Sequence, residues 1–154
     1  EAVKGGAYHI DIIGWPSADE LDKLIQYQIS YTVYNKLTDQ QVYERYCACD
    51  LLFNASFYEG FGMPIIEVQA VGRAVISSNF GAMKEVGAGS AILVDPNRPD
   101  EIRMAIESLQ NKNTYNDIVA KGRANAAKYD YRKIADQYFE LYQQLANDNS
   151  VLSK

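Results

Sequence analysis

Between Ser56 and Val75 the chain reads SFYEGFGMPIIEVQAVGRAV, and few chain paths accommodate that order of residue types. The apolar run Leu51–Phe53 precedes it, and Gly60-Phe61-Gly62 leads directly to Pro64 and the apolar pair Ile65-Ile66. The order is strand, glycine loop, helix. Pro64 suits the first helical position, where no N–H bond is lost to its ring. The amides of Ile65, Ile66 and Glu67 then lack partners within the helix and point out of its end. That end carries about half a positive charge and favours anions. Gly60 and Gly62 allow the backbone to approach a ligand where a Cβ would hinder it. Glu59 and Glu67 flank this cradle. Aimed at a phosphate they would repel it, whereas as acceptors for hydroxyls on either side they suit a nucleotide joined to a sugar.

The rest of the chain supplies a setting for that unit. Tyr8–Ile13 reads as a strand closed by Gly14-Trp15-Pro16, and Ser17 caps a helix with Asp19 and Glu20 in its first turn. Leu21, Leu24, Ile25 and Ile29 form its apolar stripe. Ser30–Tyr34 is a second strand, β-branched and aromatic. Thr38 and Gln41 make a capping-box pair, with Val42, Tyr43 and Tyr46 predicted to face inward. Leu51–Phe53 is the third strand, Ala74–Ser77 the fourth after Gly72 ends the intervening helix, and Ala91–Val94 the fifth. One helical turn is expected around Lys84–Val86. Alternating strands and helices imply parallel βαβ crossovers with helices on both faces. After Asp95-Pro96 the pattern is wholly helical, with Ile102, Ala105, Ile106 and Leu109, then Ile118 and Val119, then a stripe of Ile134, Tyr138, Leu141, Tyr142 and Leu145. The expectation is a single α/β domain over residues 1–147, a Rossmann-like parallel sheet of about five strands, with a frayed tail at 148–154.

Several function classes are disfavoured by composition. A net charge of −5 argues against nucleic acid, which demands clustered Lys and Arg. No apolar run approaches the ~18 residues of a bilayer span. Cys47 and Cys49, spaced C-x-C, fall short of a zinc set and read as two reduced thiols, so no metal is expected. The twelve tyrosines are scattered and suit packing at helix–sheet boundaries. His9 reads as structural, and Trp15 as a rim residue that packs.

The segment EGFGMPIIE, followed by a small-residue helix, by GRAVI, and later by EV and AILVDP, resembles the group 1 (family 4) retaining nucleotide-sugar glycosyltransferases. The resemblance runs from about Tyr8 to Leu145 and lies in the C-terminal, donor-binding half of a GT-B fold. It implies a hexosyl transfer from a nucleoside-diphosphate sugar to an acceptor, with retention and without metal, in polysaccharide or glycolipid synthesis. It implies that Glu59 is the catalytic-site glutamate holding donor-sugar hydroxyls and that Glu67 accepts the ribose hydroxyls. Gly60, Phe61, Gly62 and Met63 would offer amides to sugar and diphosphate, and Lys36 and Leu37 would border the nucleobase. The two reduced thiols point to a cytoplasmic protein, placed at the inner face of the membrane in the full-length parent.

Alternatives stay open at this point. Glu67 in a first helical turn would gain about 0.3–1 kcal/mol from the dipole with no ligand at all. Glu85 matches a recurrent family glutamate, and equally a cap or salt bridge. A non-catalytic nucleotide-sugar binding module would keep both glutamates without turnover, and a Rossmann-like interaction domain should lack the pair. The family's G-R…K loop and its acceptor-binding N-terminal domain have no counterpart in these residues. The chain therefore reads as a fragment, inactive by itself, whose first strand corresponds to the family's second. In the order 3-2-1-4-5-6 the absent strand would lie between Tyr8–Ile13 and Leu51–Phe53. Either those strands close up and pair, or a second copy supplies the contact in a homo-oligomer; the expectation leans to association.

Overall fold

The computed structural model describes residues 2–4 and 7–147, so the expectation of a frayed tail at 148–154 lies outside the described residues. The element order is β1 (His9–Ile13), α1 (Ala18–Gln26), β2 (Ser30–Tyr34), α2 (Asp39–Ala48), β3 (Leu51–Asn54), α3 (Met63–Ala70), β4 (Ala74–Ser78), α4 (Gly81–Gly87), β5 (Ile92–Val94), α5 (Pro99–Ser108), α6 (Lys112–Ala126), a 3-10 turn (Ala127–Tyr129) and α7 (Tyr131–Asn147). Local sequence accounts for the helix starts. Ser17 accepts from Glu20 N–H while Glu20 returns a bond to Ser17, and Thr38 and Gln41 do the same at α2. Gly72 stops α3 at φ +78°, with Arg73 N–H reaching back to Val68 O over 3.1 Å.

The strands pair in parallel, but not as one sheet. β1 pairs with β2, His9 opposite Ser30 through Ile13 opposite Tyr34. β3, β4 and β5 form a second sheet in that order. Among the described residues no ladder joins β1 to β3, so the two strands do not close up. Helices and side chains hold the two pieces together instead. Arg45 of α2 donates to Tyr34 OH over 3.1 Å, Arg73 donates to Cys47 O, and Gln110 donates to Tyr8 OH over 3.3 Å.

The core follows the second sheet. β4 is buried along its whole length, and its alternating side chains feed both faces. Val75 joins Ile65, Ile66, Val68, Met83 and Val86 beneath α3 and α4. Ala74 and Ile76 join Val94, Ile102, Ala105 and Leu109 beneath α5 on the other face. Nothing before Gly62 is fully buried among the described residues. The stripes of the first half are correspondingly shallow: Leu21 and Leu24 are half-buried, but Ile25 and Tyr43 are exposed, against the sequence reading. A two-stranded sheet, unpaired at both outer edges, offers too little surface to cover them. α7 forms as expected, yet no residue of it is buried, and Tyr138, Leu141, Tyr142 and Leu145 stand open.

Candidate functional site

The carboxyl ends of β3, β4 and β5 share one edge, and the glutamate loop leaves the first of them. At the end of β3, Asn54 O accepts from Ser77 Oγ of β4 over 2.9 Å, locking the strand end. Two residues on, Ser56 Oγ stands 3.0 Å from both Asn54 Oδ1 and Glu59 Oε1. One hydroxyl proton cannot serve both acceptors at full strength, and Asn54 Nδ2 is buried with no partner. Turning the amide over would let Nδ2 donate to Ser56 Oγ and leave the Ser56 proton wholly to Glu59. Either way Glu59 is half-buried and held by Ser56.

The two glycines differ. Gly62 caps α3 at φ +93°, and a Cβ there would press on Ile65 Cδ1 at 3.3 Å. Its left-handed backbone requires glycine. Gly60 is exposed and has no atom within 4 Å of where a Cβ would stand, so open space adjoins the backbone there. Phe61 packs edge-on against Tyr129 with ring centroids 5.6 Å apart, tying the loop to the 3-10 turn. Met63 is about half exposed.

The helix starts one residue earlier than Pro64 suggests. Met63 is its first residue and Pro64 its second. Ile65 N–H is taken by Gly62 O at 3.0 Å. Ile66 and Glu67 lie far enough along to find partners within the helix, so the amides at the open end are those of Gly62 and Met63. Glu67 accordingly falls in the second turn rather than the first, where the helix dipole has largely faded. The dipole explanation for Glu67 loses its footing. The carboxylate is exposed and accepts from Tyr46 OH of α2 over 3.1 Å. Burial, then the charge of Glu67 and its hydrogen bond, push the Tyr46 phenol above its ordinary range.

Lys36 and Leu37 follow β2, at the carboxyl end of the first sheet, and Lys36 adopts φ +55°, uncommon for a residue with a side chain. Beyond β4, the Phe57 and Phe80 rings stack at 6.4 Å and join the loops after β3 and β4. Asn79 Oδ1 is buried there without a partner. Two orphaned amide atoms, one donor and one acceptor, therefore sit at neighbouring strand ends. Glu85 lies exposed in α4, a full helix where one turn was expected. Arg73 is turned to Cys47 O, away from the glutamate loop. His9 stands between Ser30 Oγ at 2.7 Å and Thr32 Oγ1 at 3.0 Å. Trp15 is 74% exposed instead of packed, and lines a 610 Å³ cavity together with Ile12, Leu24 and Tyr27.

Sequence reasoning missed Ser56 and Tyr46. Ser56 opens the very stretch that was singled out, three residues before Glu59, a spacing at which a hydroxyl can reach a carboxylate across a turn. Tyr46 gave no such signal, because its contact with Glu67 spans 21 positions and exists only once α2 packs beside α3.

Comparison with known proteins identifies the family and the fold. The family model described as glycosyl transferases group 1 matches residues 3–131. The chain is 32% identical over 108 residues to the O-antigen chain mannosyltransferase B of Escherichia coli, a stretch of 70% of this chain and 28% of that protein. A glycosyltransferase structure from Rickettsia africae superposes with a TM-score of 0.81 at 18% identity, over 96% of this chain and 42% of that one. The Anabaena protein HepE in complex with UDP-glucose gives 0.72 at 20% identity, over 87% of this chain and 40% of that one. The chain spans less than half the length of each.

Proposed function

The chain belongs to the group 1 glycosyl transferases and has the α/β arrangement of their GT-B fold, and from that premise we propose that it binds the nucleoside-diphosphate sugar from which a hexosyl group is moved, with retention, to an acceptor. Glu67 accepts the ribose hydroxyls, and Glu59 accepts hydroxyls of the donor sugar. The diphosphate lies between them against the amides of Gly62 and Met63, with Gly60 leaving room for it. Lys36 and Leu37 border the base.

Glycosyl transfer builds positive charge at the anomeric carbon and negative charge on the departing diphosphate. Backbone amides can take part of the latter, each charge-assisted bond contributing about 1.5–3 kcal/mol. Glu59, held half-buried by Ser56, fixes the sugar while the bond to the diphosphate lengthens. No step in this scheme calls for a metal ion. Transfer itself, and synthesis of a polysaccharide or glycolipid at the inner face of a membrane, are proposed for the whole protein together with an acceptor-binding domain.

The observation that carries the reading is the pair of carboxylates at the two ends of one glycine-loop-to-helix unit, each held by a neighbouring hydroxyl, Ser56 for Glu59 and Tyr46 for Glu67. A thermal-shift panel of UDP-, GDP- and ADP-sugars tests it. A selective rise of several degrees with one base is expected at concentrations well above Kd; no rise with any of them sinks the donor-site reading.

A further inference from the structure

Tyr46 lies outside the glycine loop, yet its hydroxyl is 3.1 Å from Glu67 Oε2. The ring that carries the hydroxyl has little freedom. It is half-buried against the cluster of Ile65, Ile66 and Val68. Its helix is fixed at both ends: by the Thr38–Gln41 capping box, by Arg45 donating to Tyr34 OH, and by Arg73 donating to Cys47 O. A phenol titrates near 10 even when unperturbed, and burial moves this one further up, so it is a hydrogen-bond donor throughout neutral pH.

Glu67, by contrast, is an exposed side chain with three rotatable bonds, and left alone it would spread over several rotamers. A fixed donor on one oxygen selects among them before any ligand arrives. A carboxylate offers about four lone-pair sites, so the bond from Tyr46 still leaves acceptors for two hydroxyls. We propose that Tyr46 is a positioning residue for nucleotide binding, presetting the Glu67 carboxylate for a vicinal diol such as the ribose 2′,3′ pair. This rests on the reading of Glu67 given above.

Tyr46→Phe keeps the ring against the core and removes only the hydroxyl. Titration calorimetry with UDP, GDP and ADP identifies the diphosphate that binds the wild-type chain. That diphosphate and its 2′,3′-dideoxy form are then titrated into Tyr46→Phe, Glu67→Ala and the double variant, with thermal unfolding as a check on folding. Tyr46→Phe is expected to weaken the ribonucleotide about three- to tenfold, to leave the dideoxy form unchanged, and to add nothing on top of Glu67→Ala. An equal loss on both nucleotides, the mark of a packing role, overturns the proposal, and so does no loss on either. Glu67→Ala binding the ribonucleotide as tightly as wild type, or a wild type that binds none of the three, brings down the Glu67 reading itself and this inference with it.

Discussion

Asn125 Nδ2 donates to Gln69 Oε1 over 2.9 Å, joining α6 to α3 through two buried amides. The pair is the centre of a network. Asn125 Nδ2 also donates to Val86 O, and Gln69 Nε2 donates to Ser90 O and Oγ. Gly122 clears the space, since a Cβ there would come within 2.9 Å of Gln69 Cγ. The helix that starts the candidate site is thus anchored from behind by polar groups that water cannot reach.

Asn125→Leu should therefore destabilise the fold sharply. It leaves Gln69 Oε1 and Val86 O without that donor, and a buried unsatisfied polar group costs about 1–3 kcal/mol. Urea unfolding should show a loss of about 2–4 kcal/mol with an unchanged slope. A loss under about 0.5 kcal/mol, the scatter of ordinary surface substitutions, would mean the network contributes little.

The two glutamates should separate by ligand. Glu67→Ala is expected to weaken a nucleoside diphosphate and its sugar conjugate alike, by about 1.5–3 kcal/mol. Glu59→Ala should weaken the conjugate more than the bare diphosphate. Calorimetry that finds equal losses for both ligands in Glu59→Ala would remove Glu59 from the sugar.

Ser56→Ala should reproduce part of the Glu59 effect without touching the carboxylate. The lost bond is a single hydroxyl contact, so the conjugate should bind about 0.5–1.5 kcal/mol more weakly while the bare diphosphate is unaffected. If competition binding shows the reverse preference, Ser56 serves the loop and not Glu59.

Glu20 supplies a pH signature. Its backbone and side-chain bonds from Ser17 hold the carboxyl below its ordinary value. A folded value below the unfolded one adds stability above the unfolded value, and that addition is lost as pH falls through the folded value. Comparing Glu20→Gln with wild type by urea unfolding, the gap should be present at neutral pH and close below about pH 4. A gap that persists at the acid end would assign it to something other than ionisation.

Much of this was legible in the sequence because its causes are local. Ser17 with Glu20, Thr38 with Gln41, and Gly72 after α3 each sit within a few positions of the bonds they make, and each was read correctly. The parallel strands, with helices on both faces, also followed from pattern. What escaped needed the third dimension. The Tyr46–Glu67 and Asn125–Gln69 bonds depend on which helices become neighbours. Ile25 and Tyr43 carry correct helical periodicity, but their exposure is decided by how much sheet lies beneath them. The start of α3 shifted by one residue because Gly62 takes the left-handed conformation and leaves Met63 to open the helix.

The missing ladder between β1 and β3 also bears on how the molecule comes apart. Hydrogen-bonded sheets transmit cooperativity from strand to strand, and here that transmission stops midway. The β1–β2 piece, with no fully buried residue, is held to the rest by a handful of side-chain bonds and half-buried contacts. Segments of that kind open at a fraction of the global unfolding free energy. Native-state hydrogen exchange should resolve two cooperative units, with the amides of Ile10–Ile13 and Tyr31–Tyr34 exchanging well before those of Val75–Ser78.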